Sequence, residues 1–455
     1  MWRFGYWLSF ALASAWVFAR PGAAEVAGSN ASSNAGSYAE STSFVRHEAP
    51  APSSAETYCA WFADRDGDVI YFGQAAFWWG FRSSDGADPA RDFALEGPRP
   101  IGRFDLGREA FLPSLDAGAP GARSGVWDVL RHANGRIYFT TFFERGGYVD
   151  PANERVVHFG DAGTGLNELA PGPGGAVLAT RYADAEGGAG SLVLLDSEGG
   201  ILAEHVLVSS TPGFQLAAKS AALDPIRGDI WVNSDLLPAR DHAGEKSARG
   251  PGGSWGAAGH PTLVMDAAGR ERARFDAVEI QAMAFGADGV GYLALAEGAR
   301  LSVAVLTPGL REGDPRRGLE LARRVVVDDN YSRHLDFAQT LAVDDQGRVI
   351  LTRWGGHVHV LERERAGVQS GPGGEGAEAE AITLRSLRLP AYEPGGLYYA
   401  AYLAGDRICA TYCGRVSVVC GSASALAPGP AAPQPSAGKR LETPRRSDSG
   451  RERLR

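Results

Sequence analysis

Two tripeptides of one pattern, Thr180-Arg181-Tyr182 and Thr352-Arg353-Trp354, recur in this 455-residue chain. Arginine beside an aromatic ring can hold a carboxylate, a phosphate or a sugar, because its planar fork donates two parallel hydrogen bonds. The pattern better suits a repeated latch, each arginine paired with an acid of its own or a neighbouring repeat, since repeated residues serve repeated contacts. A second group is rich in oxygen: Asn167, Glu168, Asn233 and Asp235 offer the carboxylate and amide donors that Ca²⁺ takes. One divalent cation, Ca²⁺ or Zn²⁺, is therefore the cofactor this set would hold. The alternative is that these side chains only hydrate a polar channel.

Other patterns carry less. Gly252-Gly253-Ser254-Trp255-Gly256 has the spacing of a nucleophile elbow, but its flanks cannot form the strand-turn-helix which that chemistry needs. His357 and His359 lie two apart on one strand and read as two exposed histidines rather than a metal pair. Asp64, Asp66 and Asp68 crowd one turn without the order of a calcium loop. Phosphate-cradling, dinucleotide-binding and zinc-protease motifs are missing from the sequence.

What must position these residues is a repeat. Leu166 to Leu207 reads as four short apolar runs separated by PGPGG, ADAEGGAG and SEGG, hence a four-stranded antiparallel unit. Seven copies of its first hairpin follow one another, with turn glycines Gly67, Gly135, Gly175, Gly228, Gly289, Gly347 and Gly405. Gaps of 40 to 68 residues between them suit four strands and their loops, so the expected fold is an all-β, seven-bladed β-propeller, with six blades as the alternative. Asp-Gly and Asn-Gly dominate because such turns need positive φ. The final repeat lacks an outer strand, since ALAPGPAAPQPSAG cannot supply one, and STSFVRH at 41–47 is expected to complete it and close the ring. Inner strands of a propeller line a central channel. Counting eight residues back from the glycines places Trp127, Asn167, Ser220, Gln281 and Gln339 at one level of it. The longest insertion, Leu237 to Pro261, carries Asp241, His242, Trp255 and His260 on one face, where propellers place binding residues.

Segments such as LAVDDQGRVILT and AALDPIRGDIWV resemble the NHL-repeat and gluconolactonase-type propeller superfamily, over most of residues 56–421. That resemblance implies the propeller fold and admits lactonases, lyases and plain binding modules. In gluconolactonase-type enzymes a metal-binding Asn precedes a Gly at the register of Asn167. Here Glu168 replaces that Gly.

The termini and cysteines bound the setting. Residues 1–24 read as a secretory signal without a lipid-attachment cysteine, 25–40 as a disordered linker, 41–421 as the propeller, and 422–455 as a Pro/Ala-rich stretch running into a basic tail. Four cysteines fit an exported, disulfide-forming protein, with Cys409 opposite Cys420 and Cys59 left for Cys413. A net charge of −9 argues against a nucleic-acid partner. The expected protein is therefore a secreted or periplasmic monomer with no stable membrane insertion. It binds a small molecule or a protein through one face, with Arg181, Tyr182, Arg353, Trp354, Gln281, Gln339 and Trp127 as candidate contacts. The alternative is a metal-dependent lactonase-like or lyase-like enzyme with its site in the channel.

Overall fold

The computed structural model describes residues 44–49, 58–76, 100–117, 125–182, 189–239, 259–364 and 381–428, less a few short internal stretches. The signal-like segment, the linker, the basic tail and most of the Leu237 to Pro261 insertion, the Gly252 to Gly256 motif included, lie outside them. Seven blades form a ring. Their inner strands are Tyr58–Asp66, Val129–Arg131, Leu166–Pro171, Phe214–Leu223, Glu279–Phe285, Ala338–Val343 and Leu397–Ala404, for blades one to seven. All seven turn glycines have positive φ, between 58° and 93°, as their hairpins demand.

Ring architecture follows from where the apolar groups go. The described core falls into seven clusters, each built from two successive blades. Tyr138 of blade two packs with Val177 of blade three, and Trp231 of blade four with Leu293 of blade five. The series closes on itself, because Phe72 and Phe104 of blade one pack with Val418 and Cys420 of blade seven. Each sheet is thus buried on both faces, which is why strands such as Val177–Arg181 and Ser191–Leu195 read as continuous apolar runs instead of alternating ones.

Closure uses the N-terminal strand. Val45–Glu48 pairs antiparallel with Ser417–Ser422, Val45 facing Cys420 and Glu48 facing Ser417. Blades one and seven also join as one eight-stranded sheet through the backbone pair Cys59 and Cys413. Across the same seam Tyr402 Oη donates to Ala63 O at 2.5 Å and Arg65 Nη1 to Leu403 O at 2.6 Å. Cys409 and Cys420 face each other in register and form a disulfide. Cys413 is also disulfide-bonded.

Two local features depart from the sequence reading. The run ELARRVVV at 320–327, whose apolar pattern alone reads as a single outer strand, is split, with Pro315–Leu321 forming a short helix capped by Asp314, whose carboxylate accepts the Arg316 N–H, and the strand starting at Arg323. Pro at the helix start and buried Leu319 account for this. The stretch after blade seven does supply a small strand: Ala427–Pro428 pairs with Arg385 and Ser386 on the outer edge of blade six.

Candidate functional site

Six of the seven inner strands carry a register shift, near the start in five and at the middle of the strand in blade four. The shifts lie between Ala60 and Ala63, Leu166 and Leu169, Ala218 and Ser220, Ile280 and Ala282, Ala338 and Thr340, and Tyr398 and Ala401. Such a bulge adds a residue to one strand and re-aims its side chain. The residues so placed include Asn167, Glu168, Lys219, Gln281, Gln339 and Tyr399, a polar belt on an otherwise apolar scaffold.

The backbone of this belt is fixed from the preceding blade. Thr140 Oγ1 donates to Asn167 O at 2.6 Å, Thr180 Oγ1 to Lys219 O at 2.7 Å and Asn233 Nδ2 to Gln281 O at 3.5 Å. Each of these three donors stands five residues after its turn glycine, so one position per blade serves as clasp for the next bulge. Carboxyl groups do similar work. Asp64 accepts the N–H of Arg65 and of Arg131 in the next blade, and Asp128 those of Val129 and, in the next blade, Leu169.

One group of side chains converges from different blades. Asp235 Oδ1 lies 2.6 Å from His260 Nδ1 and 3.7 Å from Lys219 Nζ, and its Oδ2 accepts from Tyr182 Oη at 2.9 Å. The Lys219 ammonium also stands 5.2 Å from the ring centre of Phe337, just before the inner strand of blade six. Phe337 packs on Trp354 with ring centres 5.3 Å apart, and Trp354 Nε1 donates to Gln339 Oε1 at 2.6 Å. Blades three, four and six thus meet around one ammonium, carried on an inner strand that lines the channel.

Electrostatics separate the carboxyls. Burial pushes Asp235 up, but the Lys219 ammonium and the hydrogen bonds from His260 and Tyr182 outweigh it and hold the group well below the usual range. Glu168 is pushed up to about 8, by burial first and then by Asp128, against the pull of Lys219. Asp128 also rises to about 8 and Asp64 to about 6, in both cases through burial. Raised carboxyls bind protons in the folded state that the unfolded chain has released. Their contribution to stability is present at acid pH and lost as pH climbs from about 4 to about 8. Urea unfolding midpoints should fall over that window, and less steeply in Glu168→Gln; equal slopes for the two proteins would contradict this.

The expected site residues separate on this geometry. Arg353 is 2% exposed and pairs with Asp328 and Asp336, a latch between blades five and six, while Arg181 pairs with Glu204 of its own blade. Tyr182, Trp354 and Gln339 belong to the convergent group. Gln281 is 6% exposed and clasps blade six, its Oε1 accepting from Ala338 N and Tyr331 Oη. Trp127 donates its backbone N–H to Thr140 O. His357 and His359 are not exposed. The first is bonded to Asp336, and the second is fully buried against Ser386.

Three of the four proposed metal donors are hydrogen-bonded within the protein. Asn167 Nδ2 is committed to Lys219 O, Asn233 to Gln281 O and Thr262, and Asp235 to Tyr182 and His260. That leaves only Glu168 of the four without a bonded side chain. Among the described residues no group of three or more His, Cys, Asp or Glu could hold a metal ion. Lys219 and Phe337 belong to the convergent group and are not among the residues the sequence singles out.

A search of protein families finds no match, and no curated protein sequence matches the chain. Solved structures do. Virginiamycin B lyase from Staphylococcus aureus, as a catalytically inactive variant with quinupristin and as the selenomethionine-substituted protein, is 10% identical in each case. Each comparison covers 83% of this chain and 99% of that one, with a TM-score of 0.50. Kuenenia stuttgartiensis hydrazine synthase is 9% identical over 70% of this chain and 80% of its own, at a TM-score of 0.44. At such identity the likeness to the lyase shows the β-propeller fold and nothing finer.

Proposed function

We propose that this is an exported β-propeller that binds a small molecule at the mouth of its central channel, on the face where the inner strands begin. One observation carries the reading. Lys219 of blade four reaches beyond blade five to Phe337 at the start of blade six, so an ammonium, the Asp235 carboxylate and an aromatic wall converge at one place. Concave sites with a few convergent polar groups beside aromatic walls are where small ligands bind. Export is supported by the signal-like N-terminus and by the Cys409–Cys420 disulfide. No helix among the described residues is long and apolar enough to cross a membrane. Membership of the NHL and gluconolactonase-type superfamily rests on the repeat motif.

The test is a thermal-shift screen of small metabolites on the mature protein, repeated on Phe337→Ala. A true ligand at about 100 times its Kd should add about 2.7 kcal/mol to stability. The gain should vanish in Phe337→Ala, and ligands that protect both proteins equally would place binding elsewhere.

A second reading is a lyase-like or lactonase-like enzyme, favoured by His260, whose Nδ1 is bonded to Asp235 as in acid–base sites where a carboxylate orients an imidazole. On that reading His260→Ala would abolish turnover of the ligand while leaving its thermal protection in place.

A further inference from the structure

We propose that the ligand taken at this mouth is an organic carboxylate with a flat apolar body, its carboxylate seated between Lys219 and Glu168 and its body against Phe337 and Trp354. This rests on the reading of the mouth as a small-molecule site and adds the chemical class.

Two polar groups at the mouth have no hydrogen-bond partner among the described residues. An ammonium carries three donors, yet Lys219 Nζ has no hydrogen bond among the described residues: its nearest acid oxygen, on Asp235, is 3.7 Å away, and its other neighbour is a ring. The side chain is one-third exposed, so those donors open to solvent in the channel. Its backbone is not adjustable, because Lys219 O accepts from both Thr180 and Asn167. The Glu168 carboxyl likewise makes no hydrogen bond among the described residues, although its backbone N–H is held by Thr180 at 3.1 Å.

The remaining carboxyls nearby are already served. Asp64 and Asp128 each accept two backbone N–H groups, Asp235 is bonded by Tyr182 and His260, and Glu279 accepts from Gln281. Among the described residues no acceptor lies within hydrogen-bond distance of Lys219 Nζ, and an anionic oxygen supplies one with a charge-assisted bond. A ligand cation would instead sit beside the ammonium and be repelled. Glu168 sits beside Lys219 through their shared bonds to Thr180, and burial and the Asp128 charge push its carboxyl up to about 8 against the pull of Lys219, so in its protonated form it donates a further bond to the same carboxylate. Beyond these polar groups the packed rings of Phe337 and Trp354 form an apolar wall, and the Trp354 N–H donates to Gln339.

Phenylacetate and phenethylamine share a ring and differ in charge. Calorimetric titration of the mature protein should show phenylacetate binding and phenethylamine not. Lys219→Met should weaken phenylacetate roughly 10- to 100-fold, the worth of a charge-assisted hydrogen bond, while Lys219→Arg retains it. Glu168→Gln still donates, so its binding should persist and should no longer decline as pH rises through about 8. Preference for the amine, or a Lys219→Met protein that folds and binds phenylacetate undiminished, would overturn the carboxylate assignment. If neither probe binds but a screened ligand still depends on Phe337, the chemical class is wrong and the site stands. If nothing binds at all, both readings fall.

Discussion

Cys413→Ser should lower the unfolding free energy by about 3–5 kcal/mol, more than the loss of the bridge between Cys409 and Cys420. Cys413 is disulfide-bonded and faces Cys59 across the seam of blades one and seven. A link there would close a loop of some 350 residues, worth about 5–6 kcal/mol in a chain-entropy treatment before strain is subtracted. Cys409 and Cys420 are separated by 11 residues, for which the same treatment gives about 3 kcal/mol. Guanidinium midpoints of Cys413→Ser and Cys409→Ser decide the order, and non-reducing peptide mapping identifies the partner of Cys413. A larger loss for Cys409→Ser, or a map joining Cys413 to anything but Cys59, would contradict the account.

Arg353→Met should cost about 3–5 kcal/mol without touching the channel mouth. The guanidinium lies 2.7 Å from Asp328 and 2.5 Å from Asp336, with the Tyr331 ring centre at 5.1 Å. Removing it leaves two largely buried carboxylates facing each other, whereas exposed pairs elsewhere on the ring are worth under about 1 kcal/mol. Arg353→Lys should recover little, since an ammonium cannot serve two carboxylates with a planar fork. The triple variant Arg353→Met, Asp328→Asn, Asp336→Asn should recover part of the loss. Burial raises Asp336, but the bond from His357 and the charge of Arg353 hold it below the ordinary carboxylate range. Its contribution is therefore present at neutral pH and is lost as pH falls below about 4. Chemical denaturation at pH 7 provides the measurement; a loss under about 1 kcal/mol would show the triad to be incidental.

The fold was legible because each repeat announces itself twice, by a glycine that must adopt positive φ and by runs apolar on both faces. The seam was legible too: a last repeat short of one strand, and Cys409 placed opposite Cys420, both follow from hairpin register. The site was legible only in part, and the reason is local. Counting back from the turn glycine lands on the bulged residue in blades five and six, Gln281 and Gln339. In blade four it lands on Ser220 instead of Lys219. That turn is one residue longer, Gly228 N bonding Asp224 O where Gly347 N bonds Asp344 O three residues back. Phe337 escaped because it precedes its strand and belongs to no repeat position. Arg181 and Arg353 look alike in sequence, yet one meets Glu204 on its own blade and the other Asp328 on the blade before, a difference that only the ring assembles.

The N-terminal strand has a further consequence, for the timing of folding. Val45 finds its partner in Cys420, so the ring cannot be completed until nearly the whole propeller has left the ribosome. At 5–20 residues per second that is a wait of roughly 20–75 s, during which an unpaired strand is open to the wrong edge. Its sequence, VRHE, carries Arg46 and Glu48 in four residues, charges that discourage misplaced pairing. Once seated, Arg46 bonds Ser417 and lies over the rings of Tyr392 and Tyr412. Opening the ring at its seam thus means breaking this pairing together with the bonds of Tyr402, Arg65 and Cys413, which makes survival of the folded protein a matter of unfolding rate as much as of equilibrium stability.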